Sequence, residues 1–212
     1  MGQQEAMALT SLLWGPVVVV TSRHGERRSG QIAISCISAS IVPGRPRVQA
    51  SLWKLNLTHD LVVESGALAL HILRRDQVDR VKHFGLQSGR QADKFADLAW
   101  QEGGTGAPIL TDSLGWLEGR VVNAMDGGDM TTFLVDITDG GLRGEAAALM
   151  TWEYLRNNMD DELKERNETR RRIEEAWNRE HLDQFSGPFF KPQVGAGENH
   201  PRDKPGAPGS QS

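Results

Sequence analysis

The chain has 212 residues, 24 of them basic and 28 acidic, and a formal net charge of −4. This length is enough for one well-filled core with an appendage and too short for two ordinary domains. The near balance of charge excludes a broadly electropositive surface for nucleic acid, and no block of like charge suggests binding to a membrane surface.

The longest apolar run, residues 12–20, is broken by Gly15 and Pro16 and is far shorter than a membrane span. Residues 1–10 carry no lysine or arginine, unlike the start of a signal peptide. Cys36 is the only cysteine, so no disulfide can form within the chain. Together these features predict a cytoplasmic protein.

In chain order, residues 1–11 predict a flexible N-terminus. Runs rich in β-branched residues predict strands over residues 16–22, 31–37, 47–53, 67–73, 109–124 and 130–138. Apolar residues at helical spacing predict short helices over residues 58–64, 76–84 and 92–100. The first of these helices should stop at Gly66, because glycine readily adopts the left-handed conformation of a helix C-terminus.

Residues 125–129 join the last two predicted strands, either as a hairpin turn or as a functional loop. Six short strands with interspersed helices favour a small antiparallel barrel over an alternating βαβ sheet. The chain lacks the glycine-rich phosphate-binding motifs of the Rossmann and P-loop folds. We therefore expect a barrel domain over residues 12–142.

A helical extension is predicted over residues 143–185, with helical patterns at 144–157 and 159–183. The second pattern carries opposite charges four residues apart, in the pairs Glu162–Arg166, Glu168–Arg172, Arg170–Glu174 and Arg171–Glu175. Its apolar stripe is thin and consists of Met159, Leu163, Ile173 and Trp177. Such a helix is expected to pack on a neighbouring element or a partner subunit. The glycine, proline and polar composition of residues 186–212 predicts disorder.

Small hydroxyl residues lie among apolar ones between Gly30 and Pro43, a composition that lets a polar, planar ligand approach a strand backbone. Residues 54–58, Lys-Leu-Asn-Leu-Thr, then lead into a predicted helix. A helix N-terminus attracts phosphate, and Lys54 adds a full positive charge. The same residues also fit an ordinary helix start, with Thr58 as the N-cap and Lys54 as a solvated surface lysine.

The order of these motifs resembles that of the flavin reductase-like family over roughly residues 12–140. The first family motif, G-x-T-x-S-A-x-x-S-x-S-x-x-P-P, begins at residue 30, and its matching positions are Gly30, Ser38, Ser40 and Pro43. The second motif, S/N-x-T after a basic or polar residue, corresponds to residues 54–58. Weaker similarities follow at residues 77–84, 93–95, 106–110, 116–119 and 128–130.

The resemblance implies a mainly β fold, the FMN-binding split β-barrel of Greek-key topology, with short peripheral helices and a C-terminal helical extension. It also implies FMN as cofactor with FAD as the alternative, NAD(P)H as co-substrate, and a homodimer. At the matching positions it implies a flavin site formed by Gln31, Ile32, Ala33, Ser35, Cys36, Ser38, Trp53, Lys54, Asn56, Thr58, Phe84, Lys94 and Met130. It implies no dedicated catalytic acid or base. The histidines lack the spacing of metal ligands, so we expect no metal.

Three of the departures from the family motifs bear on the expected flavin site. Ile32 and Ile34 replace hydroxyl residues, so backbone groups and Ser35 are expected to bond the flavin ring instead. Met130 replaces a histidine that in the family lies near the nicotinamide. Its soft thioether is suited to packing against a flavin edge.

The main hypothesis is an FMN-dependent oxidoreductase of the flavin reductase type, which passes hydride from NAD(P)H to flavin. It would supply reduced flavin to a monooxygenase partner or act on a small molecule. The alternative is a flavin-binding module without NAD(P)H turnover, for electron relay, storage or sensing. A third hypothesis is an interaction protein whose helix over residues 159–183 binds a partner.

Overall fold

The computed structural model describes residues 5–6, 9–10, 12–13, 15–145, 148–185 and 187. The predicted disordered tail, apart from residue 187, and most of the predicted flexible N-terminus lie outside the described residues. The strands are β1 (Val18–His24), β2 (Arg27–Ala33), β3 (Cys36–Ser38), β4 (Arg47–Trp53), β5 (Ala67–Ile72), β6 (Trp100–Glu102), β7 (Pro108–Leu110), β8 (Gly115–Asp126) and β9 (Met130–Leu142). The helices are α1 (Leu57–Ser65), α2 (Val78–Leu86), α3 (Trp152–Asn158) and α4 (Asp161–Gln184).

Seven of these strands form one antiparallel sheet in the order β2-β1-β5-β8-β9-β4-β3. Strands β2 and β3 stand at opposite ends of this order, although only Ile34 and Ser35 separate them in the chain. The sheet must therefore curl until its two ends meet. In the link between the two end strands, the Ser35 carbonyl accepts a hydrogen bond of 3.0 Å from the Ser51 N–H of β4. The prediction of a mainly β barrel with peripheral helices is confirmed.

Strand β1 is buried on both faces, as its continuous β-branched run predicts. Val18 and Val20 face the barrel interior together with Leu52 and Phe133. Val19 faces outward into a second core, which lies between the sheet and helices α2, α3 and α4. The largest buried side chains of this second core are Leu73, Phe84, Phe95, Leu110, Met150, Leu155 and Leu163.

The predicted strand over residues 47–53 coincides with β4. The predicted helix over residues 58–64 is α1, which is one residue longer at each end. It stops at Gly66, whose φ of 65° lies in the left-handed region, as expected for a glycine at this position. The long strand predicted over residues 109–124 is interrupted by a turn, which separates β7 from β8.

The helix predicted over residues 92–100 is wrong, because this segment forms a series of turns before β6. The Asp93 carboxylate accepts a hydrogen bond from the Phe95 N–H at 2.9 Å, a local bond that competes with a helix. The turn directs Lys94 and Phe95 into the protein, where both are buried.

The helix predicted over residues 144–157 begins only at Trp152. The residues before it are held by strand-like pairing, since the Met150 carbonyl accepts from Val17 N–H and the Met150 N–H donates to the Leu73 carbonyl, each at 2.9 Å. The strand predicted over residues 31–37 is also divided, because the chain crosses between the two sheet ends at Ile34 and Ser35.

Helix α4 confirms three of the four predicted ion pairs: Glu162–Arg166, Arg170–Glu174 and Arg171–Glu175. Leu163 of its predicted apolar stripe is buried in the second core, whereas Ile173 is 65% exposed. Among the residues that the structure describes, no helix has both the length and the apolar character needed to cross a membrane.

Candidate functional site

A cleft of about 360 Å³ lies outside the barrel, between the curled sheet and helix α4. Its sheet side is formed by Ile32 of β2, Ile34 of the β2–β3 link and Trp53 of β4. Ile32 faces outward because side chains alternate along a strand and the neighbouring Ala33 belongs to the barrel interior. Apolar residues of the helices and of the α3–α4 junction form further walls: Val81, Leu86, Trp152, Leu155, Met159 and Leu163. Both the volume and the mainly apolar lining suit a small-molecule site.

Two glycines allow helix α2 to lie close against β2 at the base of this cleft. A Cβ at Gly85 would lie 3.3 Å from Ile32 Cγ1. A Cβ at Gly30 would lie only 2.7 Å from the ring of Phe84. Gly30 is the first residue of the family motif. The close approach of the Phe84 ring explains why this position needs a glycine.

One polar atom in the cleft wall is buried and has no hydrogen-bond partner within the described part of the chain, namely Oδ1 of Asn178 in α4. Gln31 Oε1 shares this property, but Gln31 lies on the inward face of β2 with Ala33. Buried polar atoms are rarely left without a partner. A ligand with an N–H group in the cleft would satisfy Asn178.

The side chains of five predicted flavin contacts do not line the cleft: Gln31, Ala33, Ser35, Cys36 and Ser38. Gln31, Ala33 and Cys36 are buried, whereas Ser35 and Ser38 are exposed at the sheet crossing. Burial raises the pKa of the Cys36 thiol to about 12, so it stays protonated and unreactive at neutral pH. A flavin contact at these positions would use backbone groups or the two exposed hydroxyls.

Trp53 and Met130, two further predicted site residues, are direct partners in the β4–β9 pairing. Because side chains of paired residues project from the same face of a sheet, Met130 lies beside the cleft residue Trp53. Met130, which replaces the family histidine, is therefore next to the candidate site.

Lys54 is held by the turn between β8 and β9. Its Nζ donates to Asp126 Oδ1 at 2.6 Å, and its backbone N–H donates to the Asp129 carbonyl at 3.0 Å. The Lys54 hydrogen bond, together with the Gly128 N–H, lowers the pKa of Asp126. The lysine that we expected to bind phosphate thus already has a carboxylate partner.

Asn56, and not Thr58, is the N-cap of α1, and its side chain makes no capping hydrogen bond. Its Oδ1 instead accepts a hydrogen bond of 3.1 Å from Arg170 Nη2 of α4. Thr58 lies inside the helix, is buried, and donates to Ser29 Oγ at 3.1 Å. The alternative in which Thr58 caps the helix is therefore wrong.

Lys94 and Phe84, the last two predicted site residues, lie behind β2. Lys94 is 4% exposed, and its Nζ donates to the carbonyls of Gly30 at 2.8 Å and Phe84 at 2.9 Å. Burial, and to a smaller extent the nearby Arg170 guanidinium, lower the pKa of Lys94 to about 7. Phe84 is fully buried and packs edge-on against Phe95. Both residues pack against β2 behind the cleft, and neither lines it.

A larger depression of about 680 Å³ lies beside the β1–β2 turn and contains Arg27, Arg28 and Arg90. Each arginine is paired with a carboxylate. Arg27 pairs with Glu64 at 2.5 Å, Arg28 with Asp93 at 2.6 Å, and Arg90 with Asp60 at 2.7 Å. The depression is open, and its lining is more polar than apolar. The smaller, more apolar cleft beside β2 is the better candidate site.

Residues 10–159 match the family model of the flavin reductase like domain. The chain belongs to the flavin reductase-like family. The matched region contains every strand, both motif segments and helix α3, whereas helix α4 lies beyond it.

Named relatives of this flavin reductase-like chain include a high molecular weight rubredoxin of Moorella thermoacetica, 30% identical over 154 residues, or 71% of this chain and 65% of that protein. A ferric-chelate reductase (NAD(P)H) of Archaeoglobus fulgidus is 29% identical over 138 residues, covering 64% of this chain and 80% of that protein. The reductase subunit HsaB of a flavin-dependent monooxygenase of Mycobacterium tuberculosis is 28% identical over 113 residues, covering 53% and 58%. The chain spans less than two thirds of the Moorella and Mycobacterium proteins.

Solved structures share the fold. An FMN-binding protein from Thermus thermophilus, with bound 1-cyclohex-2-enone, superposes with a TM-score of 0.56 at 26% identity, covering 61% of this chain and 71% of that chain. The NADH:FAD oxidoreductase SgcE6 of Streptomyces globisporus superposes with a TM-score of 0.60 at 24% identity, covering 71% and 89%. The expected split-barrel fold is thereby confirmed.

Sequence reasoning missed the contribution of helix α4 to the cleft of this flavin reductase-like chain. Asn167, Arg170 and Asn178 all line the cleft from α4. The regular i,i+4 charge pattern around Arg170 is typical of a solvated helix face, and it hid this role. The available signal was the thin apolar stripe, which indicates a helix that docks on a neighbour.

Proposed function

We propose that the chain is a flavin reductase that binds FMN, with FAD as the alternative, and passes hydride from NAD(P)H to flavin. The observation that carries the proposal is an apolar cleft beside the motif strand β2 in a member of this family. The chemistry supplied by a bound flavin would be hydride acceptance from a reduced nicotinamide.

The residues of the cleft fit such a cofactor. Ile32, Ile34 and Trp53 offer apolar and aromatic surface to a planar ring. Asn178 Oδ1 offers a buried acceptor for a ring N–H. These residues would bind and orient the ring and exclude water, which is the protein's main task in flavin chemistry.

The flavin-binding module without turnover remains a second candidate, and Met130 is the observation that favours it. Met130 stands beside Trp53, at the position of the family histidine that lies near the nicotinamide. A thioether can pack against a ring, but it does not replace the hydrogen bonds of an imidazole. NADH and NADPH oxidation in the presence of FMN separates the two candidates, because the module would show none.

We further propose a monooxygenase as the recipient of reduced flavin, a homodimer as the working form, and the cytoplasm as the location. The monooxygenase partner is supported by the similarity to HsaB, the reductase subunit of a flavin-dependent monooxygenase. The homodimer is supported by exposed apolar side chains in and after β3, at Ile37, Ile41 and Val42. We also propose that residues 12–142 form the barrel unit and residues 143–185 a C-terminal helical extension.

A visible spectrum and a fluorescence titration test the central proposal. The purified chain should either carry the absorbance of bound flavin or quench the fluorescence of added FMN. A colourless preparation that leaves FMN fluorescence unchanged would show that the chain is not a flavoprotein. With binding established, NADH and NADPH oxidation tests the reductase activity separately.

A further inference from the structure

Helix α4 lies across the whole length of the cleft, and it is anchored at both ends. Near its start, Lys82 Nζ donates to Asp160, the N-cap of α4, at 2.6 Å and to Glu162 at 3.4 Å. At its end, Phe185 packs on the turn between β8 and β9, where a Cβ at Gly128 would lie 3.0 Å from Phe185 Cβ. Its 24 residues give a length of about 36 Å, enough to cross the site from α2 to that turn.

Arg170 occupies the middle of this helix and points towards the second family motif. Its Nη2 donates to the side chain of Asn56, the residue that begins α1, and its Nε donates to Glu174. The Arg170 side chain is 27% exposed, and it also lines the cleft. The guanidinium therefore stands where the cleft meets the start of α1. It has further N–H donors that these two bonds do not use.

Two cations come together at this place. Arg170 is close enough to Lys94 to disfavour the charged form of the lysine, although burial is the larger cause. The Lys94 ammonium is directed at the carbonyls of Gly30 and Phe84, so it is not free to bind an anion. Lys54 is bonded to Asp126 on the other side of the motif. Of these three cations, Arg170 alone lines the cleft.

We propose that Arg170 of the C-terminal helix binds the phosphate group of the flavin cofactor, beside Asn56 and the first turn of α1. This assignment rests on the proposed function. A planar guanidinium can form two parallel hydrogen bonds with a phosphate, which gives orientation as well as charge. The start of α1 lies on the same side and adds the positive end of a helix dipole. Helix α4 then closes the cleft and supplies a phosphate ligand from outside the region that the family model matches.

Glu174 keeps Arg170 in place. Its carboxylate is buried and bonded to Arg170 Nε from one helical turn away. The bond restricts the rotation of a long side chain, so less conformational entropy remains to be lost when an anion binds. Arg171 also borders the cleft, but its bond is to the exposed Glu175 and its own side chain is 70% exposed. Arg170 is therefore the better-oriented cation.

Fluorescence titrations of FMN and riboflavin, which differ in the phosphate group, test the assignment. We expect Arg170→Gln to raise the FMN dissociation constant about 10- to 100-fold, the usual range for a charge-assisted hydrogen bond. The riboflavin dissociation constant should not change. Arg170→Lys retains the charge but loses the planar fork, so FMN affinity should fall by less than in Arg170→Gln. Inorganic phosphate should compete with FMN in the unaltered chain and much less in Arg170→Gln.

Arg172→Gln is the matched control, because Arg172 is on the same helix, is exposed and does not line the cleft. It should leave both affinities unchanged. Equal FMN affinity in Arg170→Gln and Arg172→Gln would overturn the assignment, as would equal losses for FMN and riboflavin. An unaltered chain that binds neither flavin would overturn the proposed function itself. If Arg170→Gln does not fold, the FMN and riboflavin affinities of Arg170→Lys are compared with those of Arg172→Gln instead, and the same outcomes apply.

Discussion

The ammonium group of Lys94 donates a hydrogen bond of 2.8 Å to the backbone carbonyl of Gly30, the first residue of the family motif. A second bond, of 2.9 Å, joins the same group to the carbonyl of Phe84 in α2. One buried side chain thus connects the motif strand to the helix behind it. The ring of Phe84 fills the space that a side chain at Gly30 would need. The base of the cleft is fixed by these two contacts.

The buried lysine predicts a pH-dependent stability. Burial lowers the pKa of Lys94 from 10.5 to about 7, so between these values the unfolded chain binds more protons than the folded chain. The free energy of unfolding should therefore rise with pH above 7, by about 1.4 kcal/mol per unit from this group, and this contribution is lost as pH falls through 7. Urea unfolding between pH 7 and pH 8 measures it, since the Cys36 thiol, with an ordinary pKa of 9.0, stays mostly protonated there in the unfolded chain.

Lys94→Met is the comparison for that measurement. Methionine is similar in length and cannot titrate, so the rise of unfolding free energy with pH should be absent from the variant. The two carbonyls lose their donor, and the variant should be less stable than the unaltered chain at pH 8. Parallel pH profiles in the two proteins would contradict the assignment of a lowered pKa to Lys94.

The ion pair between Lys54 and Asp126 predicts opposite effects of two substitutions on FMN affinity. Lys54→Ala removes a cation near the motif and should weaken FMN more than riboflavin. Asp126→Asn removes the carboxylate that engages Lys54 at 2.6 Å, so the lysine becomes available and FMN should bind more tightly. The pair is partly solvated, and such pairs contribute about 0.2–1 kcal/mol, so each change should be about fivefold or less.

Fluorescence titration with the double variant completes this test. If Asp126 acts only through Lys54, Asp126→Asn should have no effect in the Lys54→Ala background. Equal weakening of FMN and riboflavin by Lys54→Ala would show that the lysine does not act on the phosphate.

His71 predicts loss of stability in acid. It is fully buried, its Nδ1 donates to the Val19 carbonyl at 3.1 Å, and its Nε2 accepts from the Leu110 N–H at 3.0 Å. This arrangement requires a neutral ring. Burial lowers the pKa of His71 from 6.5 to about 4, so the unfolded chain binds the extra proton between these values.

The stability from His71 is fully present above pH 6.5 and is lost as pH falls towards 4, by about 3 kcal/mol in total. Urea unfolding at pH 7, 6 and 5 measures the slope. His71→Gln cannot titrate and should show a shallower decline over this range, even if it is less stable at pH 7. An unchanged slope in His71→Gln would mean that other groups cause the acid sensitivity.

The sequence predicted those elements whose local pattern agrees with their tertiary position. The alternation in β4 and the glycine stop after α1 are examples, because burial and backbone conformation there require what the residues prefer. The turns around Asp93 were missed because a side-chain bond to Phe95 N–H and the burial of Lys94 outweigh helical spacing.

The candidate site was only partly predictable from the sequence. Ile32 and Trp53 follow from the motifs, and they line the cleft. Arg170 could not be found in this way, because its contact with Asn56 joins residues 114 positions apart. Its nearer bond to Glu174 has the spacing of an ordinary helix-surface pair. Only the docking of α4 on the cleft shows that Arg170 is a cleft residue and not part of an ordinary helix-surface ion pair.

The packing of Phe84 on Gly30 predicts a specific cost of enlarging the motif glycine. In Gly30→Ala the new Cβ would lie 2.7 Å from two ring carbons of Phe84, a fully buried side chain that cannot move away without disturbing its contact with Phe95. We expect a loss of unfolding free energy of about 1–3 kcal/mol, the usual effect of overpacking a core. Gly104→Ala is the control, since the nearest atom to its Cβ would be 3.5 Å away. Chemical denaturation of both variants measures the difference, and a Gly30→Ala chain as stable as Gly104→Ala would show that β2 and α2 are not held in close contact.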